Sequence, residues 1–133
     1  MKRTFFIAGV QYRPRNEINE AAKMMNEIRE MMGGLQLSLE AEPTNKFDPN
    51  AIKIIYDVEA SDRKIFLGFV PKKYSSEVAG MLSIGAPVEC TVDAVDPLAK
   101  TYEMFKVTVQ IPVDEEEGLE PYDEDSELEA EGQ

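Results

Sequence analysis

Residues 42–52 read Glu42-Pro43-Thr44-Asn45-Lys46-Phe47-Asp48-Pro49-Asn50-Ala51-Ile52, a polar, turn-forming run that leads directly into an apolar segment. The two prolines fix the backbone φ angle and remove hydrogen-bond donors, and Asn and Asp side chains bond to backbone groups two residues further on. The run therefore predicts a rigid loop rather than a flexible linker. Because binding residues often lie on loops that a scaffold holds in place, this loop is the first candidate for a functional site.

The sequence around this loop predicts six strands and two helices. Apolar runs or period-2 alternation indicate strands over residues 4–12, 35–41, 52–58, 65–70, 88–94 and 105–111. Apolar residues at helical spacing predict a helix over residues 17–32, with Asn16 as its N-cap, and a shorter helix that Pro71 opens and Gly85 ends. The order β-α-β-β-β-α-β-β with short connections predicts a mainly β fold, a small six-stranded antiparallel barrel of the OB or SH3-like type.

Acidic residues are concentrated at the C-terminal end of the chain. Residues 114–133 contain 11 acidic and no basic residues, which leaves 15 acidic and 14 basic residues in 1–113. The formal net charge of −12 therefore falls to −1 for residues 1–113, and a local basic patch there remains compatible with phosphate binding. We expect one domain over residues 1–113 and a disordered acidic tail over 114–133, because a segment without apolar periodicity cannot offset its ordering entropy.

The chain has one cysteine, Cys90, and no histidine. An intramolecular disulfide is therefore impossible, and Ser-His and Cys-His catalytic pairs are excluded. The apolar run after Lys2 and Arg3 is interrupted at Gln11 and lacks a cleavage pattern, so we interpret it as a strand and not as a signal peptide. No segment approaches the ~20 apolar residues of a membrane helix. These features predict a cytoplasmic, soluble protein that needs no membrane, metal or cofactor.

Three segments together resemble the HIRAN domain family. They are residues 6–13, the loop at 42–52, and the run from Leu67 to Lys73. The loop matches without a gap a family pattern of Glu/Asp-Pro-x-Asn, then an aromatic residue, Asp, any residue and Asn-Ala-Ile. That family is known as a module that binds ends of single-stranded DNA in replication-fork remodellers, and it also occurs as short stand-alone proteins. The resemblance covers roughly residues 5–95 and implies a pocket for the 3′-terminal nucleotide, lying between the loop and the end of the first strand.

The resemblance also implies roles for individual residues. Tyr12 and Phe47 match the aromatic positions that stack on the base, and Asp48 matches the carboxylate that accepts a hydrogen bond from the 3′-hydroxyl. Lys72 matches a basic position that faces phosphate. We add Arg13 as a phosphate contact because it follows Tyr12 directly.

Each of these residues also has a plainer interpretation. Asp48 can cap its own turn, Phe47 can fill the core, and Tyr12 can be an ordinary aromatic residue at a strand end. Asn45 and Asn50 are interpreted as residues that satisfy loop backbone groups and so structure the loop.

Two features depart from the family pattern. The position before Tyr12 is commonly basic and here is Gln11. The helix at 17–32 fills what is often a short loop, and its acidic residues near Tyr12 raise the question of whether this helix obstructs the pocket.

The sequence therefore predicts a non-catalytic module that binds 3′ ends of single-stranded DNA, in DNA repair, replication or phage or plasmid DNA metabolism. One alternative is a protein-interaction module in which the 42–52 loop binds a peptide and the acidic tail engages a basic partner. An enzyme is disfavoured because no nucleophile-base pair, paired-carboxylate site or phosphate loop is visible. A basic groove that joins Tyr12, Phe47 and Lys72 would favour DNA, and an exposed apolar patch would favour a protein partner.

Overall fold

The structure, a computed structural model, describes residues 1–59 and 61–111. The predicted tail at 114–133 lies outside these residues. The described part contains six strands and two α-helices in the predicted order: β1 Lys2–Phe6, α1 Arg15–Met32, β2 Gln36–Ala41, β3 Ile52–Asp57, β4 Lys64–Phe69, α2 Lys72–Ser83, β5 Glu89–Val95 and β6 Phe105–Gln110. Two short 3-10 turns, at Val10–Tyr12 and Thr101–Glu103, precede α1 and β6. Neither helix of the described part has the length and apolarity needed to cross a membrane.

All strand pairs are antiparallel, in the order β1-β6-β5-β2-β3-β4. The sheet curls into a half-barrel, which confirms the predicted mainly β, OB-like fold. Its two edge strands meet at one point, where Ala8, just after β1, pairs with Phe69 of β4 through hydrogen bonds of 2.9 and 2.8 Å. Gly68 permits this approach, because a Cβ atom there would overlap the carbonyl oxygen of Ala8 and lie 2.7 Å from Cγ2 of Ile7.

The core lies inside the curled sheet, and the two helices pack against it. Helix α1 contacts β4 and β5, and its fully buried residues are Ile18, Ala21, Ala22 and Met25. Ile28, which the helical spacing also places on this face, is only partly buried. Helix α2 contacts β3 and buries Val78, and its Tyr74 ring stacks on Phe5 of β1 at 5.7 Å between centroids. The largest buried side chains of the strands include Tyr56, Phe105, Ile52 and Ile54, and Ile7, directly after β1, is buried with them.

Three local predictions are wrong in detail. The first strand ends at Phe6, because Gly9 with a φ of +75° turns the chain into the 3-10 turn at Val10–Tyr12. Helix α1 begins at Arg15, not after Asn16, with Pro14 as its N-cap and no side-chain cap hydrogen bond. In β5 the predicted inward alternation stops after Val92, since a bulge leaves Ala94 exposed and places Val95 in the core.

Candidate functional site

A groove of about 780 Å³ opens where the end of β1, strand β4, the start of α2 and the 42–51 loop meet. Its volume is in the range of ~300–1,000 Å³ that is usual for small-ligand sites. It brings together most of the residues singled out in the sequence. Its lining includes Tyr12, Arg13, Glu42, Asn45, Phe47, Asp48, Phe66, Phe69 and Lys72.

Asn45 organises the loop that forms one wall of the groove. Its side-chain Oδ1 accepts the N–H groups of Phe47 at 2.8 Å and Asp48 at 3.0 Å, and its Nδ2 donates to Oε1 of Glu42 at 2.8 Å. Backbone hydrogen bonds, including that from the Glu42 N–H to the Ala51 carbonyl at 2.8 Å, close the loop at its base. Asn50 contributes its backbone N–H, which donates to Oδ1 of Asp48 at 2.9 Å. The loop is therefore held by its own polar groups, as the composition of the run predicts.

Asp48 connects this loop to helix α2. Its Oδ1 accepts the Asn50 N–H, and its Oδ2 accepts the hydroxyl of Ser75 at 2.7 Å. The Ser75 hydrogen bond, followed by the Asn50 N–H and the charge of Lys72, holds the pKa of Asp48 below its ordinary value of 3.8. Asp48 is therefore ionised at neutral pH. Its turn-capping bond is present, and the unused lone pairs of its two oxygens leave it able to accept a further donor.

Tyr12 and Phe47 stand at the groove with almost uncovered rings. Their exposures are 82% and 86%, so Phe47 does not fill the core. Phe66 and Phe69 also line the groove, and their rings meet edge to face with centroids 5.2 Å apart. Exposed aromatic rings beside a groove are typical of surfaces that stack on a flat ligand.

Two cations and two carboxylates line the same groove. The Arg13 guanidinium lies 4.1 Å from the centroid of the Phe66 ring, and its Nε donates to the Phe66 carbonyl at 3.2 Å. These contacts hold the Arg13 guanidinium over the Phe66 ring and leave its two terminal nitrogens unused. Lys72 is the first residue of α2, where the positive end of the helix dipole lies. Because Glu42 and Asp48 balance these charges, the groove is not strongly basic, and most of its lining surface is apolar.

Helix α1 stays outside the groove. None of residues 15–32 whose side chains the structure describes lines it, and the acidic residue Glu20 is paired with Arg63 through contacts of 2.7 and 2.8 Å. The question that the sequence leaves open is therefore answered for the described residues: this helix does not line the groove.

Three residues in or beside the groove are not indicated as site residues by the sequence. Phe66 and Phe69 belong to a predicted strand, where apolar residues are ordinary, and their exposure to the groove depends on how β4 meets the end of β1. Ser75 is a single hydroxyl within an amphipathic helix, and only the tertiary structure reveals its bond to Asp48. Asp48 and Ser75 are 27 positions apart in the sequence.

The family model of the HIRAN domain matches residues 3–111. The chain belongs to the HIRAN domain family. HIRAN domains are known in general as DNA-binding modules, and they typically bind rather than catalyse. No curated protein matches this HIRAN chain in sequence.

Two solved structures are similar to this HIRAN domain. A protein from Lactobacillus plantarum is 16% identical with a TM-score of 0.57, and the match covers 82% of this chain and 95% of that one. The HIRAN domain of human HLTF is also 16% identical, with a TM-score of 0.47, over 81% of this chain and 70% of that one. At this identity the Lactobacillus protein shows a shared fold and nothing more.

Proposed function

We propose that this protein binds the 3′ end of single-stranded DNA in the groove between Tyr12, Phe47 and Lys72. The observation that carries the proposal is the pairing of two exposed aromatic rings with an ionised, hydrogen-bonded carboxylate in one groove. Stacking of a base on an aromatic side chain contributes ~1–3 kcal/mol and tolerates any base. The rings then supply affinity without sequence preference, and membership of the HIRAN family supports nucleic acid as the ligand.

The Asp48 carboxylate supplies the preference for an end. A free 3′-hydroxyl can donate a hydrogen bond to it, and bonds to ionised groups are among the stronger ones. A 3′-phosphate would bring a second anion against the carboxylate and offer no donor when fully ionised. An internal nucleotide has no hydroxyl at this position in DNA. Asp48 would therefore favour a 3′-hydroxyl over both.

Arg13 and Lys72 are the proposed phosphate contacts. The terminal nitrogens of the stacked Arg13 can donate to a phosphate oxygen, and Lys72 adds a charge beside the amides of the α2 N-terminus. Two such contacts predict a modest salt dependence, because each neutralised phosphate on a single strand contributes a slope of about −0.7 in log affinity against log salt.

The experiment is a fluorescence anisotropy titration with three single-stranded oligonucleotides of one sequence, of which the two linear ones are labelled at the 5′ end. One ends in a 3′-hydroxyl, one in a 3′-phosphate, and one is circularised with an internal label. We expect the 3′-hydroxyl form to bind roughly tenfold tighter than the others, the size of one charge-assisted hydrogen bond. Equal affinity for all three would contradict end recognition, and no binding at low salt would contradict DNA binding altogether.

A second candidate function is the binding of an extended peptide in the same groove. The balanced charge and the many apolar groups of the groove favour it, and the acidic tail at 114–133 would then engage a basic partner. Salt separates the two functions. DNA affinity falls as salt rises, whereas a peptide held by apolar contacts binds equally well or better.

The proposal includes a non-catalytic role in DNA repair, replication or phage or plasmid DNA metabolism, and a cytoplasmic location. The buried Cys90, whose pKa burial raises to about 12, stays a protonated thiol and is not a nucleophile.

A further inference from the structure

Ser75 is the one polar residue in the buried set of the described chain, with 1% of its surface exposed. Its hydroxyl lies 2.7 Å from Oδ2 of Asp48 and 3.1 Å from the carbonyl oxygen of Lys72, one helical turn back. A hydroxyl has one proton, and the Lys72 carbonyl alone is an adequate acceptor for a buried serine within a helix. Ser75 therefore does not need Asp48 to satisfy its hydrogen bonding. The group that gains from their contact is the carboxylate.

Asp48 is held by two donors from two different elements. The Asn50 N–H comes from the loop and binds Oδ1, and the Ser75 hydroxyl comes from α2 and binds Oδ2. The last side-chain torsion of an aspartate is broad and weakly preferred, so one donor would leave the carboxylate free to rotate about the axis through that donor. Two donors on separate oxygens fix its plane. The remaining lone pairs of both oxygens then keep one direction relative to the groove.

We propose that Ser75 is a positioning residue that fixes the Asp48 carboxylate as the acceptor for a terminal hydroxyl group, and so sets the preference of the groove for a hydroxyl end over a phosphate end. This inference rests on the proposed function. Ser75 acts through Asp48 and, being buried, does not touch the nucleic acid. Its loss would leave the stacking rings, Arg13 and Lys72 in place, so general affinity for single strands is retained.

The test compares Ser75→Ala with wild type by titrating 3′-hydroxyl and 3′-phosphate oligonucleotides. We expect Ser75→Ala to reduce the ratio of the 3′-phosphate to the 3′-hydroxyl dissociation constant roughly threefold, which leaves part of the wild-type preference, because the bond to the charged Asp48 is misaligned but not lost; the 3′-phosphate form should change little. Ser75→Thr, which retains a hydroxyl, should keep the wild-type ratio. The matched control is Ser83→Ala on the same helix, whose hydroxyl donates to the Gly80 carbonyl at 2.8 Å outside the groove.

The pH dependence of the preference gives a second readout that a merely structural role would not move. In Ser75→Ala the midpoint at which the preference disappears should shift upward, because Asp48 loses the largest of its stabilising hydrogen bonds. If Ser75→Thr folds poorly, this midpoint decides the matter, and an unmoved midpoint overturns the inference. If the wild type shows the preference and Ser75→Ala retains it in full, the inference about Ser75 is wrong, and end recognition by the groove still stands. A wild type without any preference overturns end recognition and the inference together.

Discussion

Tyr12 and Phe47 present almost their whole rings to solvent, an arrangement that contributes little to folding. We therefore expect Tyr12→Ala to leave the melting temperature nearly unchanged and to weaken binding to every single-stranded end alike, by ~1–3 kcal/mol, because it removes a stacking surface and no end-specific contact. Anisotropy titrations of 3′-hydroxyl and 3′-phosphate oligonucleotides measure this. Met31→Ala is the matched control, since Met31 is 81% exposed on α1 and does not line the groove. A selective loss for one end would assign Tyr12 a different role.

The sequence predicts which residues line the groove better than it predicts how exposed they are or which residues support them. The polar run at 42–52 and its resemblance to HIRAN bring Tyr12, Phe47, Asp48 and Lys72 together, and the structure places all four at one groove. Whether Phe47 is buried or exposed stays open at the level of sequence, because an aromatic residue in a turn has no periodicity to indicate its direction. Ser75 escapes prediction, since a contact between residues 27 positions apart leaves no local pattern.

At the scale of elements, the approach of β1 to β4 at Gly68 is the contact most sensitive to a small change. Gly68→Ala would force its Cβ against the backbone of Ala8, so the two edges must separate. We expect a loss of roughly 1–3 kcal/mol or more in the free energy of unfolding, measured by urea denaturation, together with weaker DNA binding because Ala8 and Phe69 line the groove.

Gly80→Ala provides the control for that prediction. Gly80 lies within α2, and a Cβ atom added to it would meet no other atom within 4 Å, so alanine should stabilise the helix by about 0.5–1 kcal/mol. If both substitutions have the same effect, the contact at Gly68 does not hold the two edges together.

Element types are predictable from the sequence, and element boundaries are less so. Alternation identifies β6 correctly because every second residue from Phe105 to Ile111 is buried. The same rule fails at Ala94, since a bulge shifts the phase by one residue and composition does not reveal it. The sequence of residues 4–12 gives no sign that the strand ends at Phe6, because the turn at Gly9 follows the pairing of Ala8 with Phe69 of β4, a contact between residues distant in the sequence.

For the whole molecule, several carboxylates predict how stability changes with pH. The pKa of Glu20 is lowered by its hydrogen bond to Arg63, that of Asp57 by Lys64 and Ser38, and that of Asp48 by Ser75. A lowered folded-state pKa contributes stability that is present above the ordinary values of 4.5 and 3.8 and is lost as pH falls through the folded-state values. Melting temperatures should be level from pH 7 to about 5 and fall gradually below about 4.5, because exposed pairs each contribute little. Glu20→Gln should flatten part of that fall, and a flat profile down to pH 3 would contradict the assignment.

The charge of residues 114–133 predicts a second whole-molecule effect. If residues 114–133 form the tail that the sequence predicts, their eleven acidic residues would be held near the domain at high effective concentration and would compete with phosphate for Arg13, Lys72 and Lys73. Truncation after Val113 should therefore raise affinity for single-stranded DNA at low salt, with the gain shrinking as salt screens the charges. The control is the same truncation in a chain whose Arg13, Lys72 and Lys73 are neutralised. Removal of the acidic residues should change DNA affinity little there, unless the truncation alters the groove itself. Identical binding of full-length and truncated protein at low salt would leave the tail without this role.

Met1 and Ile111 are joined by two backbone hydrogen bonds, in which each nitrogen donates to the other residue's carbonyl at 2.9 and 2.7 Å. They lie at one end of the β1-β6 pair, and the groove residue Ala8 follows the other end of β1. The two ends of residues 1–111 are thus as close as two paired strands. A surface loop of another protein would have to open only by that distance to accept residues 1–111 as an insertion. Such an insertion would point the groove away from its host. We therefore expect residues 1–111 to fold when they are inserted into a surface loop of another protein.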